Sequence, residues 1–362
     1  MNDKIIKKRI NDIGLRLKKK KIDCLIVTKP ANVTFTTGFS GADSWAIITP
    51  RRVYLVTDSR YTEQAQKECP SCRIIERSAP IAQAVAKLIK RLKSAHTIAV
   101  EKSASLAVFG QLKKNLKTPV KAIDNIIEAV RSSKDESEIA AVKKAAQIAA
   151  KALKETLPII KPPITENELA GRLDLQIRRL GAIISFETIV AFGPNASRPH
   201  HQPGGRKLKK NDTVLIDFGA RYKNYCSDLT RCLVIGRLSA FYKKVYDAVE
   251  QAQAAAIKMV RAGAEITKVD SAARQVIAKC DLPVYGHGTG HGLGLEVHEG
   301  PTVAAKGKGK LKAGEIITIE PGVYIPGKLG VRIEDDVLVT EKGCEILSSD
   351  CPHQPLLRSL KY

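Results

Sequence analysis

Along the first third of the chain, apolar residues fall into short runs separated by stretches in which they recur at helical spacing. Cys24 to Val27, Trp45 to Thr49, Val53 to Asp58, Arg73 to Glu76 and Thr97 to Glu101 have the length and pattern of strands. In Ile5 to Leu17, Ile81 to Leu92 and Ala104 to Leu116 the apolar positions return every three or four residues, which predicts helices. Alternation of this kind predicts an α/β domain that ends near residue 125.

From Ser133 the texture changes. Ser133-x-x-Glu136 reads as a capping box that opens a long Ala-rich helix through about Leu157, and the prolines between Pro158 and Pro163 stop it. A boundary near residue 130 follows, giving domains at 1–128 and 129–362. Thr165-x-x-Glu168 opens a second helix closed by Gly181, and a third runs from about Ala240 to Ala262 with Gly263 beyond its end. Around these helices lie strand-rich segments, Thr213 to Gly219, Tyr225 to Ile235, Glu315 to Tyr324 and Gly330 to Val339. No tandem repeat of solenoid period is present.

Two of these segments carry paired acids inside apolar strands. Asp217 and Asp228 are equidistant from a centre between Tyr222 and Lys223, so a hairpin turning there would set them directly opposite each other. Glu320 and Glu334 are each seven residues from Gly327, in the turn signal Pro326-Gly327-Lys328. A carboxylate near a strand end is ordinarily just solvated. Like charges facing each other in apolar strands are destabilising, however, and two such pairs call for a compensating cation.

Composition narrows the setting. The 362 residues, 44% of them hydrophobic, exceed what one core usually organises. No run of about 18 apolar residues occurs, and Met1 to Lys8 is polar, so a cytoplasmic protein with no membrane partner is expected. The eight cysteines are widely scattered, which predicts free thiols; Cys69-Pro-Ser-Cys72 lacks the second pair or the histidines of a zinc site. The net charge of +23 would draw polyanions without specificity. Its lysines are spread along the chain and aromatics are only 5%, so a solvated basic surface is expected rather than a specific nucleic-acid groove.

The histidines sharpen the cation argument. Five of the seven, His200, His201, His287, His291 and His298, fall within about a hundred residues, interleaved with the acids. His287-Gly-Thr-Gly-His291 is too glycine-rich for a helical HExxH zinc motif and reads as a loop delivering imidazoles. It also lacks the spacing of a phosphate-binding loop.

Taken together, IDFG, CSDLTR, GTGHGLGLEVHE, TIEPGVY and VRIEDD resemble the metal-ligand segments of the Xaa-Pro aminopeptidase and prolidase group, the pita-bread metallopeptidases related to methionine aminopeptidase. TGFSGADSWA and VTDSRYTEQA resemble the smaller N-terminal domain of creatinase, prolidase and aminopeptidase P. The resemblance implies an α/β N-terminal domain followed by an α+β pita-bread domain with an antiparallel sheet and flanking helices. It implies Asp217, Asp228, His291, Glu320 and Glu334 as ligands of two divalent ions, manganese first and cobalt or zinc as substitutes, with Asp228 and Glu334 touching both. Glu320 is further implied as general base, His200 and His298 as catalytic histidines, and His287 and Arg332 as contacts on the leaving-group side and supports of the metal shell. His201 is taken as a neighbour of the site. Peptides with proline in second place are the implied substrates, cleaved by a metal-bridging hydroxide, and a homodimer is the implied assembly. Removal of the first residue from longer peptides, as by an Xaa-Pro aminopeptidase, and cleavage of dipeptides, as by a prolidase, both fit. A non-catalytic RNA-binding relative would be expected to have lost ligands, and none is missing.

Overall fold

In the computed structural model, which describes residues 3–50, 52–92, 95–353 and 356–357, the chain divides into two units, Met1–Arg131 and Ser132–Tyr362. The first is built on the apolar runs. Six strands form one mixed sheet in the order Arg73–Glu76, Val53–Thr57, Trp45–Ile48, Cys24–Val27, Ile98–Glu101 and Val120–Ile123. Ile26, Ile47, Val56 and Val100 pack there with Val85 and Ile89 from helix Ile81–Arg91 and Leu112 from helix Leu106–Asn115.

Helix Pro30–Thr37 was not legible, because Val33, Thr34, Phe35, Thr36 and Thr37 favour strands. Local chemistry overrides that preference. Pro30 is preset for the first turn, and Thr36 and Thr37 return their hydroxyls to the Asn32 and Val33 carbonyls, each at 2.7 Å. Gly38, at φ 82°, then ends the helix in the left-handed conformation.

In the second unit the long helix spans Glu136–Thr156, and its cap corrects the expected one. Asp135 accepts the Ser137 and Glu138 backbone N–H groups while Glu138 reaches back to the Asp135 N–H at 3.0 Å. Ser133 instead donates to the Ala313 carbonyl at 2.5 Å. Helix Glu166–Arg179 does use the Thr165–Glu168 box, and Ala240–Met259 is capped by Ser239. A fourth helix, Ile266–Lys279, lies beyond Gly263; Ile266, Val269, Ala273 and Ile277 form its buried stripe. Its start carries no sequence signal, because Glu265 offers no side-chain cap.

Antiparallel pairing dominates the strands. Thr213–Phe218 lies between Ile189–Phe192 and Leu229–Ile235, and Ile316–Ile319 lies between Gly290–Gly292 and Asp335–Val339. One core joins Ile148, Leu153, Leu169 and Leu173 to Val190, Val214, Ile216 and Leu233. The other joins Val249, Ala252, Val269 and Ala273 to Leu215, Ile317, Ile319 and Val337. Strand Thr213–Phe218 thus sends alternate side chains to two helix pairs, and this double support fixes the strands on which the acids sit. Among the described residues, no helix is long and apolar enough to cross a membrane, and all eight cysteines are free.

Candidate metal centre

The first hairpin turns one residue later than its symmetry suggests. Tyr222 pairs with Tyr225, and Lys223 and Asn224 form the turn at φ 48° and 70°, the doubly left-handed geometry in which asparagine is common. Asp217 therefore faces Thr230 rather than Asp228. This corrects the expected pairing without separating the acids: a shift of two positions leaves both side chains on one face, where a shift of one would have turned them apart.

The second hairpin keeps the expected register. Gly322 pairs with Arg332 in the outer ladder and Ile319 with Asp335 in the inner one, so Glu320 and Glu334 fall opposite each other between the two. Pro321, which has no N–H to give, interrupts the ladder there. Gly327 sits at the tip at φ 68°.

His291 comes from strand Gly290–Gly292. A Cβ on Gly290 would lie 1.8 Å from the Thr318 carbonyl oxygen, so only glycine lets this strand approach Ile316–Ile319. The loop before it is tied to helix Ile266–Lys279. Asp270 accepts the Thr289 hydroxyl at 2.7 Å, and Arg274 donates to the carbonyls of Tyr285 at 2.7 Å and His287 at 2.6 Å.

These elements bring the five residues together. Ligand-type atoms of Asp217, Asp228 and Glu334 form one group, and those of His291, Glu320 and Glu334 another, each within 4.8 Å. A third group joins Asp228 and His291 to His298. His291 Nε2 is 3.6 Å from Asp228 and 3.4 Å from Glu320.

The charges in this cluster oppose one another. Burial and then the carboxylates of Glu334 and Asp217 push Asp228 well above the usual range, and burial followed by Glu320 and Asp217 does the same to Glu334. Burial pushes Glu320 up to about 7 and His291 down to about 4. Asp217 Oδ1 and Asp228 Oδ1 are buried acceptors without a hydrogen-bond partner among the described residues. Four carboxylates and one imidazole with two orphaned oxygens fit hard divalent cations, which would satisfy those acceptors and remove the repulsion.

Arg332 belongs to the shell of this cluster. It donates to Asp217 at 2.6 Å, to the Thr230 hydroxyl at 3.0 Å and to the Tyr324 hydroxyl at 2.9 Å. Thr230 in turn donates to Glu334 at 2.6 Å. His287 contacts the Tyr324 hydroxyl at 3.1 Å and lies 3.9 Å from Glu320; burial lowers its pKa to about 4, leaving the ring neutral. His200 is exposed, next in sequence to Pro199, whose carbonyl Arg332 reaches at 3.4 Å. His298, also exposed, has its ring 4.3 Å from that of His291. His201 is turned elsewhere, with Nε2 donating to Glu166 at 2.9 Å.

Residues 140–341 match the model of metallopeptidase family M24, and residues 9–133 match the creatinase/prolidase N-terminal domain. The chain belongs to metallopeptidase family M24. Its two-domain M24 architecture, a creatinase-type domain followed by a pita-bread domain, recurs in solved structures. An Xaa-Pro dipeptidase from Bacillus anthracis superposes with a TM-score of 0.93 at 33% identity, covering 97% of this chain and 100% of that one. An X-Pro aminopeptidase from Thermotoga maritima gives 0.87 at 36% identity, covering 94% and 99%. The uncharacterized peptidase YqhT of Bacillus subtilis is 35% identical over 325 residues, 89% of this chain and 92% of its own.

Several residues of this M24 site were not singled out from sequence. Thr230 and Thr318 lie on strands Leu229–Ile235 and Ile316–Ile319, whose ends abut Asp228 and Glu320, one holding Glu334 and the other meeting the His291 N–H at 3.1 Å. Asp336 accepts the Asp228 backbone N–H at 3.2 Å. Asp270 and Arg274 had a signal, an acid and a base four apart on a helical stripe, but finding it required the helix itself.

Proposed function

We propose that the chain is a two-metal exopeptidase that hydrolyses the bond between an N-terminal residue and a following proline, as an Xaa-Pro aminopeptidase. The observation that supports this most is the convergence of Asp217, Asp228, His291, Glu320 and Glu334 around two buried, unpartnered carboxylate oxygens. These five residues would hold the ions, with Asp228 and Glu334 each shared between two ligand groups. Manganese suits a donor set dominated by oxygen, and cobalt or zinc would substitute. Bound there, two divalent ions supply Lewis acidity and bring a water close to ionisation at neutral pH.

The chain's own residues supply the rest. Glu320 takes the proton of the attacking water and passes it to the proline nitrogen as the C–N bond breaks, releasing a free amino acid and a peptide that begins with proline. His200 and His298, both exposed, face incoming substrate and steady the charge that develops on the carbonyl oxygen. Neutral His287, with Nδ1–H donating to the Gly288 carbonyl at 2.7 Å and Nε2 accepting from the Tyr324 hydroxyl at 3.1 Å, holds Tyr324 on the leaving-group side. Arg332 fixes the Asp217 carboxylate. We place the enzyme in the cytoplasm as a homodimer, with peptides rather than nucleic acid as its specific partners.

The likeness to an Xaa-Pro dipeptidase from Bacillus anthracis favours a second reading, a prolidase confined to dipeptides. Hydrolysis of an Xaa-Pro dipeptide, an Xaa-Pro-Xaa tripeptide and an Xaa-Ala dipeptide by manganese-loaded protein separates the two, with Glu320→Ala as control. Cleavage of both proline peptides, lost in the variant, is the expected result. Cleavage of the dipeptide alone selects the prolidase, and no cleavage of any of the three refutes the proposal.

A further inference from the structure

Outside the metal cluster, the second unit buries a carboxylate that the proposed mechanism does not use. Glu166, the first residue of its helix, is 0% exposed. It accepts four hydrogen bonds, all from one chain segment: Phe192 N–H and Asn195 Nδ2 at 2.8 Å on Oε1, His201 Nε2 at 2.9 Å and Gly204 N–H at 3.1 Å on Oε2. Burial alone would raise its pKa, yet the bonds from Asn195, His201, Phe192 and Gly204 hold the carboxyl below its ordinary value, so it is an anion. The backbone reinforces the attachment, with Glu166 N–H donating to the Arg206 carbonyl and Asn167 N–H to the Gly204 carbonyl, both at 3.1 Å.

The clamped segment, residues 192–204, contains His200. Its other side is held from the second hairpin, where Arg332 reaches the Pro199 carbonyl at 3.4 Å and Gly327 N–H reaches Ser197 Oγ at 3.3 Å. A Cβ on Gly330 would lie 1.8 Å from the Ala196 carbonyl oxygen, so the fit there is tight as well. His200 is exposed while its neighbour His201 is anchored inward. A surface loop carrying an exposed imidazole would otherwise sample many positions. Here one anion, saturated by donors on both sides of His200 in sequence, selects one.

We propose that Glu166 is a positioning residue for the reaction, acting through His201 and Asn195 to set His200 over the site. This rests on the assignment of His200 to the catalytic machinery made above. A misplacement of about 1 Å in a catalytic group costs about a hundredfold in rate, so loosening the clamp should lower kcat while leaving ground-state binding largely intact.

The test is a double-mutant cycle on manganese-loaded protein hydrolysing an Xaa-Pro dipeptide, with Glu166→Gln, His200→Ala and the double variant. Thermal melts establish that each is folded. Glu166→Gln is expected to lower kcat about tenfold with KM within about twofold, and to lower it by less than about twofold when His200 is already alanine. Equal losses in both backgrounds, or wild-type kcat in Glu166→Gln, overturn the inference while leaving the peptidase reading intact. Wild-type kcat in His200→Ala overturns the role of His200 and the inference with it. Should Glu166→Gln fail to fold, His201→Ala removes one donor and His201→Gln returns one near the Nε2 position. The first should lose kcat only when His200 is present, and the second should recover it. Equal impairment of the two overturns the inference.

Discussion

Glu320 shows at the scale of one residue what the cluster costs when it is metal-free. Burial moves its carboxyl from 4.5 up to about 7, and Asp228 and Glu334 are pushed well above the ordinary carboxyl range. A carboxyl whose folded pKa exceeds its unfolded value binds more protons folded than unfolded. Its stabilising contribution is complete below the unfolded pKa and is lost as pH rises through the folded one. The neutral rings of His287 and His291, held at about 4, contribute in the opposite sense, but the three carboxyls outnumber them, so the metal-free chain is expected to fall in melting temperature as pH rises from about 5 to 7, and added manganese should abolish most of that slope. Melts with chelator and with manganese check this; a metal-free chain equally stable at both pH values contradicts it. The residues themselves were readable because acids stand inside runs such as Val214-Leu-Ile-Asp217 and Ile317-Thr-Ile-Glu320, where an unpaired charge has no cheap resting place. Thr230 was not readable. A threonine in a strand is unremarkable until the chain is folded and its hydroxyl lies 2.6 Å from Glu334.

Elements explain which signals carried and which misled. The symmetry about Gly327 held, since a glycine at positive φ marks a turn in sequence. The symmetry about Tyr222 and Lys223 failed by one residue, because Lys223 adopts φ 48° in the turn and lysine gives no warning of that. The long second-unit helix shows the same contrast. Two overlapping boxes, Ser133-x-x-Glu136 and Asp135-x-x-Glu138, compete on paper, and Asp135 prevails while Ser133 is engaged by the Ala313 carbonyl. Asp135→Ala should cost about 1 kcal/mol and speed amide exchange in the first turn, at Ser137 and Glu138. Hydrogen-exchange mass spectrometry of that peptide gives the answer, and unchanged protection would return the cap to Ser133.

At the scale of the whole molecule, no single element contains the centre. Strand Thr213–Phe218 and the end of its hairpin bring Asp217 and Asp228, strand Gly290–Gly292 brings His291, and the interrupted hairpin brings Glu320 and Glu334. Two helix pairs on the faces of those strands hold the pieces in place. Sequence conveyed this assembly through acids set inside apolar strands and histidines interleaved with them, and not through periodicity, which gives elements but not their meeting point. This meeting point is the proposed site of two cations. Native mass spectrometry of protein dialysed against manganese counts them directly. Two ions per chain, reduced in Asp228→Ala and Glu334→Ala, is the expected result, and a chain that binds none while remaining folded would contradict it.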